Sequence, residues 1–393
     1  MSGARVFFYV QHLLGIGHTV RAAQLTRAMQ RTGLDVTYVS GGFDAIETDL
    51  GGARLVRLPP VRTGDASFKT LVGADGMSVD DAWRERRRSA LLAAFDEADP
   101  DLVLIEMFPF GRWQFRFELL PLLDAAHGRA RIACSLRDVL VAKTEPSRIA
   151  ATAALIDRYF DAILVHGDPS FIRLDETYPA AAALAGKIHY TGYVAPEPSG
   201  NASRSAEVIV SAGGGGTGGA LMRTALAARP LSSLAASPWR LLAGPNLPAP
   251  DRASLAAGPG VAIEPVRPDF RALLAASAAS ISQAGYNTVM DILVTRARSV
   301  LVPFSAHGQT EQAFRARRLA ARGWAKVVAE ETLTARRLAQ ALDRAVAADR
   351  PDSAGINLGG GARSAELLAA LTQDRAGGHR PAYRALRMPP CPI

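Results

Sequence analysis

Residues 282–312 carry the densest set of chemically useful side chains in this sequence. Ser282-Gln283-Ala284-Gly285-Tyr286-Asn287-Thr288-Val289-Met290-Asp291 reads as a strand end, a glycine turn and a helix N-terminus. Val300-Leu301-Val302-Pro303 is a second strand, and His307-Gly308-Gln309-Thr310-Glu311-Gln312 a polar loop that opens another helix. A glycine beneath a new helix lets a ligand approach backbone N–H groups closely, and the positive end of the helix favours an anion there. Asp291 stands about one and a half turns into that helix, where a carboxylate can accept hydrogen bonds from a sugar while the turn below holds a phosphate. Asn287 and Thr288 add polar groups in the first turn, and Gln309, Glu311 and Gln312 are expected on the same rim of the sheet. The outline suits a phosphorylated, polyhydroxylated nucleotide.

A second glycine run, Ser211-Ala-Gly-Gly214-Gly215-Gly216-Thr217-Gly-Gly219, follows an apolar strand. So many glycines are conformationally costly in a plain connector, and their benefit is a row of closely approachable N–H donors, with the Thr217 hydroxyl beside them. It lacks the Gly-Lys-Ser/Thr ending of a Walker-type ATP loop.

The N-terminal half has its own turn, Gly15-Ile16-Gly17-His18, between a first strand and a first helix. A dinucleotide fingerprint would need glycine at position 20 and an acidic residue ending strand two; Val20 and Ser40 stand there, so an NAD site is not expected. An imidazole that titrates near neutrality is a reasonable general base, which makes His18 the first candidate and His12 the second. His18 can equally serve as a helix-capping residue. Glu106, ending Leu102-Val-Leu-Ile-Glu106, and Asp138, after Ser135-Leu-Arg137, put carboxylates at strand C-termini. Either can orient His18 or take a proton itself. Arg112 and Arg137 offer planar donor forks to an anionic acceptor or a diphosphate.

These residues need a scaffold of alternating strands and helices. Strands are expected at 6–10, 36–40, 54–58, 102–106, 132–135, 162–165 and 188–191, then again at 208–211, 240–242, 261–264, 279–282, 300–302 and 326–328, with amphipathic helical segments between many of them. The Pro/Gly/Ser/Asn-rich stretch 195–204 reads as a linker. The expected fold is therefore α/β, with two Rossmann-like, doubly wound parallel-sheet domains: residues 1–200, residues 206–375, and a loose tail at 376–393. Such sheets bind ligands outside their strand C-termini, so the two domains should face each other across a cleft.

Composition narrows the classes. Of 393 residues, 48% are hydrophobic and 21% charged, a soluble globular balance. The net charge of +8 comes almost wholly from arginine, which suits a GC-rich genome and helps attract a nucleotide diphosphate or an anionic membrane. No nucleic-acid motif accompanies it, so nucleic acid is not an expected partner. Basic and aromatic residues alternate in 83–88 and 111–117, as on a surface with peripheral membrane contact, although packed aromatics on a solvated helix face give the same pattern. Two cysteines and the absence of a signal-peptide pattern make the cytoplasm the expected compartment, including the inner face of its membrane. The seven histidines are scattered without metal-ligand spacing, so neither a metal nor another cofactor is expected.

The order of parts in 280–325 resembles the donor half of the two-Rossmann (GT-B) glycosyltransferases, nearest to family 28, which includes the bacterial enzyme adding N-acetylglucosamine to a lipid-linked peptidoglycan precursor. The resemblance spans most of residues 1–370. It implies that the glycine-rich loop contacts phosphate, that Asp291 binds ribose where those enzymes usually have Glu, and that Gln312 stands at the position contacting the donor sugar. It also implies that backbone around Arg267 holds the base edge, and that His18 lies beside the acceptor hydroxyl. The activity so implied is metal-independent sugar transfer from a nucleotide diphosphate donor, expected to be UDP-linked, to a small-molecule or lipid-linked acceptor. The same fold also hosts UDP-sugar hydrolases and epimerases, and a non-catalytic nucleotide-sugar-binding subunit would carry the same donor residues.

Overall fold

The computed structural model describes residues 3–13, 17–43, 49–63, 70–140, 145–196, 203–213, 217–305 and 310–376. Gly15, Gly214, Gly215, Gly216 and Gln309 lie outside them.

The first sheet is wholly parallel. Its spatial order is β3 (Arg54–Arg57), β2 (Asp35–Ser40), β1 (Arg5–Val10), β6 (Leu102–Glu106), β7 (Arg131–Arg137), β8 (Ala162–His166) and β9 (Ile188–Tyr190). The second sheet, also parallel, runs β12 (Val261–Pro265), β11 (Trp239–Ala243), β10 (Val208–Ser211), β13 (Ala279–Ser282), β14 (Ser299–Leu301) and β15 (Lys326–Val327). An antiparallel hairpin, β4 (Arg62–Thr63) with β5 (Leu71–Val72), stands apart. Its strands are too short for any alternation to register in the sequence. The helices are α1 (Gly17–Arg31), α2 (Asp81–Ala98), α3 (Arg116–Ala126), α4 (Pro146–Tyr159), α5 (Gly219–Ala228), α6 (Ala249–Ala253), α7 (Phe270–Ala276), α8 (Tyr286–Thr295), α9 (Glu311–Ala321), α10 (Ala335–Ala347) and α11 (Gly360–Ala376). Among the described residues no helix is long and apolar enough to cross a membrane.

The central strands are apolar on both faces because helices cover both sides of each sheet. In β1, Phe7 and Tyr9 join Val103 and Ile105 against Phe95 of α2 and Leu119 and Leu122 of α3. Val6, Phe8 and Val10 point the other way, onto Leu25 and Met29 of α1. That second face also takes Ala365, Leu368 and Leu371 of α11. This helix, expected with the second domain, thus returns to the first. Its entry is tight: a Cβ on Gly360 would lie 2.2 Å from the Gly192 carbonyl oxygen, so only glycine fits.

The domains also share a core. Val139, Phe171, Ile172 and Tyr193 pack with Tyr286, Met290, Leu319 and Trp324. The linker divides the chain near residue 200, but not this cluster. One face of α9 adds polar ties to the first domain: Glu311 pairs with Arg137, Arg315 with Asp138, Arg318 with Glu176, and Arg322 donates to the Ser170 carbonyl. The spacing is i, i+4, i+7, i+11, a single stripe along the helix.

Arg315 and Asp138 are both fully buried, with guanidinium–carboxylate bonds of 2.9 and 3.1 Å, and Arg315 also donates to the Ala284 carbonyl at 3.0 Å. Removing the carboxylate alone strands a buried cation. Asp138→Ala should therefore lower stability by about 3–5 kcal/mol. Asp138→Leu combined with Arg315→Met should cost clearly less than the two single changes added together. Urea unfolding of the four proteins measures this; strictly additive losses would show that the two groups do not depend on each other.

Candidate active site

In each sheet the strand order reverses once, between β1 and β6 and between β10 and β13. At such a switch point the connections leave in opposite directions and open a crevice at the strand C-termini. The sequence candidates gather at these two places. His18 and Gly17 begin α1 after β1, Glu106 ends β6, Thr217 precedes α5 after β10, and Gly285 precedes α8 after β13.

At the first crevice, His18 Nδ1 lies 2.8 and 3.0 Å from the two Glu106 carboxylate oxygens. Glu106 is fully buried and also pairs with Arg21, three residues after His18 on α1. Burial alone would raise the Glu106 carboxyl, but the charges of His18, Arg21 and Arg112 bring it down to about 2. Glu106 is thus an acceptor only, so the imidazole proton must sit on Nδ1, which leaves the Nε2 lone pair free to take a proton. The imidazole pKa is pushed down to about 4, chiefly by burial, with Glu106 opposing and Arg112 and Arg21 assisting. The side chain keeps 19% of its surface exposed. At neutral pH it is an uncharged base in a fixed tautomer.

Gln11 and His12, just after β1, are tied down from several sides. Arg112 Nε donates to the Gln11 carbonyl at 2.8 Å, and Gln11 Oε1 accepts from the fully buried Arg87, which pairs with the equally buried Glu118. Tyr9 donates to Glu118 at 2.5 Å. His12 is engaged in the same scaffold: Nε2 lies 2.7 Å from the Phe43 carbonyl and Nδ1 3.3 Å from Thr19 Oγ1. With both nitrogens occupied it supports the loop and is not available as a base. Asp138 is removed from that role too. It is wholly engaged by Arg315 and by the Tyr193 hydroxyl at 3.2 Å, on the domain interface. Of the two strand-end carboxylates, the structure brings only Glu106 to His18.

At the second crevice, Gly285 caps α8, and a Cβ there would meet nothing within 4 Å among the described residues. Thr217 is exposed at the start of the α5 turn, where Gln283 Nε2 lies 3.3 Å from its hydroxyl. Gly218 is required by sterics, since a Cβ would sit 2.0 Å from that of Ala212. Asp291 points from α8 with 18% of its side chain exposed. Burial raises its carboxyl pKa to about 7, and Arg271, 3.8 Å away, opposes this weakly. Thr288 is half-buried in the first turn.

Other residues expected at ligand contacts have partners within the protein. Asn287 Nδ2 reaches across the cleft to the Gly17 carbonyl at 3.2 Å. Glu311 and Arg137, expected on donor and acceptor respectively, are bonded to each other at 2.8 Å. Gln312 Oε1 accepts from the backbone N–H groups of Ala284 and Phe304, both at 3.1 Å, so it pins the ends of two adjacent strands. Arg267, half-exposed after the edge strand β12, is held by Asp269 and Glu264. Among the described residues no three metal-ligating side chains lie together.

Sequence reading missed Arg21 and Tyr286. A signal existed for Arg21: position i+3 from His18 shares its helix face. Tyr286 reads as an ordinary aromatic at a helix start, yet its hydroxyl accepts from Val194 N at 3.0 Å and donates to the His166 carbonyl at 3.3 Å.

Comparison with known proteins bears on the fold and on the second domain. Residues 204–354 match the family model described as the glycosyltransferase family 28 C-terminal domain. Over 121 residues the chain is 34% identical to the UDP-N-acetylglucosamine–N-acetylmuramyl-(pentapeptide) pyrophosphoryl-undecaprenol N-acetylglucosamine transferase of Sinorhizobium medicae (strain WSM419); that alignment spans 30% of this chain and only 32% of the relative. Among solved structures, the kitacinnamycin glycosyltransferase superposes with a TM-score of 0.65 at 16% identity, covering 94% of this chain and 99% of the other. A glycosyltransferase from Streptomyces sp. SF2575, complexed with thymidine diphosphate, gives 0.54 at 15% identity, covering 94% and 96%. The two parallel-sheet domains have the GT-B fold of these solved glycosyltransferases, and the likeness to family 28 is carried by residues 204–354.

Proposed function

We propose that the chain moves a sugar from a nucleotide diphosphate donor to an acceptor hydroxyl, without a metal, with His18 as the general base. One observation carries this reading: the His18–Glu106 pair at one switch point and the start of α8 at the other are in direct contact, through the Asn287–Gly17 bond. A donor whose diphosphate rests on the α8 N-terminus and whose ribose meets Asp291 presents its sugar toward Nε2 of His18. The acceptor oxygen attacks C1 as its proton passes to Nε2, and the bond from C1 to the β-phosphate oxygen breaks. The imidazolium that forms stays paired with ionised Glu106, and the leaving charge meets the helix N–H groups. The uridine in the relative's name supports a UDP-linked donor, and the thymidine diphosphate of the SF2575 structure makes dTDP-sugars the alternative to include. The acceptor, small-molecule or lipid-linked, enters from the first domain beside Arg112.

The direct test is incubation with a panel of UDP- and dTDP-sugars, alone and with cell extract. Transfer requires that nucleotide release depend on the extract. Release without it would identify a hydrolase, a new sugar isomer an epimerase, and tight binding without turnover a non-catalytic subunit.

The site yields two sharper expectations. His18→Ala should cut turnover by about 10²–10⁴-fold while leaving donor affinity unchanged. Because a base must be deprotonated, the acid limb of turnover at saturating donor, where the titration of Asp291 no longer limits binding, should fall near the imidazole value of about 4 and leave a plateau through neutrality. A limb near the ordinary histidine pKa of about 6.5 would mean that the base is not this buried imidazole.

Asp291→Ala should weaken donor binding by about 1–3 kcal/mol. Only the ionised carboxylate accepts from both ribose hydroxyls, so affinity for an intact nucleotide-sugar should rise with pH through about 7. Calorimetric titration across this range, with Asp291→Asn as the pH-insensitive control, measures it. A flat profile in the unmodified protein would remove Asp291 from the ribose.

A further inference from the structure

Arg21 has an environment that a plain ion-pair partner does not need. It is 2% exposed on α1, and its Nη2 grips the same Glu106 oxygen that lies 2.8 Å from His18 Nδ1. Its guanidinium carbon lies 5.1 Å from the ring centroid of Tyr286, the first residue of α8. Nε is buried and finds no acceptor among the described residues, so Glu106 and the Tyr286 face are what offset its charge. Tyr286 is itself fixed, by Val194 N and the His166 carbonyl, with Arg315 on its ring at 5.7 Å.

We propose that Arg21 is a positioning residue that couples the donor-side helix to the base: stacked on Tyr286, it holds Glu106 in the orientation that fixes the His18 tautomer. This deepens the transferase reading and rests on it for the role of His18. The Glu106 side chain has three rotatable bonds, and a histidine cannot by itself fix its carboxylate. Arg21 supplies the second fixed point. Because its other contact belongs to the second domain, withdrawal of α8 would release Arg21, then Glu106, then the imidazole. The first domain therefore presents an oriented base only when the donor-binding helix is seated. The charged and titratable groups around this centre are Arg21 and His18 on α1, Glu106 on β6, Arg112 after it, Cys134 on β7, His166 on β8 and Tyr286 on α8.

The test compares Arg21→Gln, Arg21→Lys and Tyr286→Leu in the full chain. Nitrogen NMR of the imidazole, assigned against His18→Asn, reports tautomer and titration with no donor or acceptor present. In Arg21→Gln the Nδ1–H form should give way to a tautomer mixture, and the His18 titration should move up by about one pH unit because a nearby cation is gone. Turnover should drop by about 10²-fold, the usual cost of a displaced catalytic group, with donor affinity within about twofold of the unmodified protein. Arg21→Lys, which keeps the charge but cannot present a flat face to the ring, should recover the titration and only part of the turnover. Tyr286→Leu, which removes the α8 contact of Arg21 but keeps its charge, should shift the His18 tautomer in the same direction as Arg21→Gln, to a smaller extent, and lower turnover with it. If Arg21→Gln leaves the tautomer and titration unchanged, or if donor affinity falls in parallel with turnover, Arg21 is only a structural support. If the imidazole responds as expected but no sugar is transferred from any donor, the positioning role stands and the transferase reading fails. An unfolded Arg21→Gln moves the decision to the other two variants: an unchanged turnover in both overturns the proposal.

Discussion

A carboxylate without access to water must be paired, and Glu106 is such a carboxylate at the point where the first sheet reverses its order. Much of the local architecture can be understood as supplying its partners. Helix α1 begins at Gly17 so that His18 and, one turn later, Arg21 reach Glu106 from the same face. The end of β1 is held at Gln11 by Arg112 and by the buried Arg87–Glu118 pair. A hydrophobic residue at position 106 would pack more cheaply, and the ion network would have no purpose. Its retention at the strand C-terminus is what separates a site from a core.

The domain interface is built on a related compromise. The shared apolar cluster around Tyr193, Tyr286 and Trp324 supplies non-directional burial, which brings the halves together without fixing their angle. Direction comes from the stripe on α9. Arg137 and Asp138 are consecutive and carry opposite charges, and they meet Glu311 and Arg315, which lie four apart with the charges reversed. Sliding α9 by one turn would bring like charges together, so the pairs select one register. Since Arg315 also holds the Ala284 carbonyl, and Gln312 the Ala284 N–H, this register passes directly to the turn beneath α8.

How much of this was legible follows from the physics of each feature. The strands were, because apolar runs between helices leave the same trace in every parallel sheet; β6, β10 and β13 occur at the residues read from the sequence alone. The placement of His18, Glu106 and Gly285 at strand C-termini was legible as well, since those ends follow from the strand pattern itself. Asp138 shares that placement, yet its partner Arg315 lies in the other domain, and no spacing rule connects residues so far apart in sequence. The same holds for Asn287, which reads as a ligand-binding residue and bonds Gly17 instead. The return of α11 to the first domain was hidden for a further reason: the alanine and leucine pattern of a helix says that it packs, but not on which neighbour.

Two carboxylates on opposite sides of the cleft illustrate how the environment assigns their work. Glu106 has no exposed side-chain surface and is held near 2 by bonded His18 and Arg21 and by the charge of Arg112, whereas burial lifts the carboxyl of Asp291, 18% exposed, to about 7 against the charge of Arg271 at 3.8 Å. Separated pKa values of this kind mark separate roles. A permanently ionised group can hold a proton on a neighbouring nitrogen and stabilise an imidazolium through a reaction, but it has no spare capacity for a ligand. A buried carboxyl that titrates near neutrality has the opposite property: it gains from added hydrogen-bond donors such as hydroxyl groups. On the proposed reading the first serves the base and the second the donor, and the bond from Asn287 to Gly17 joins the two sides.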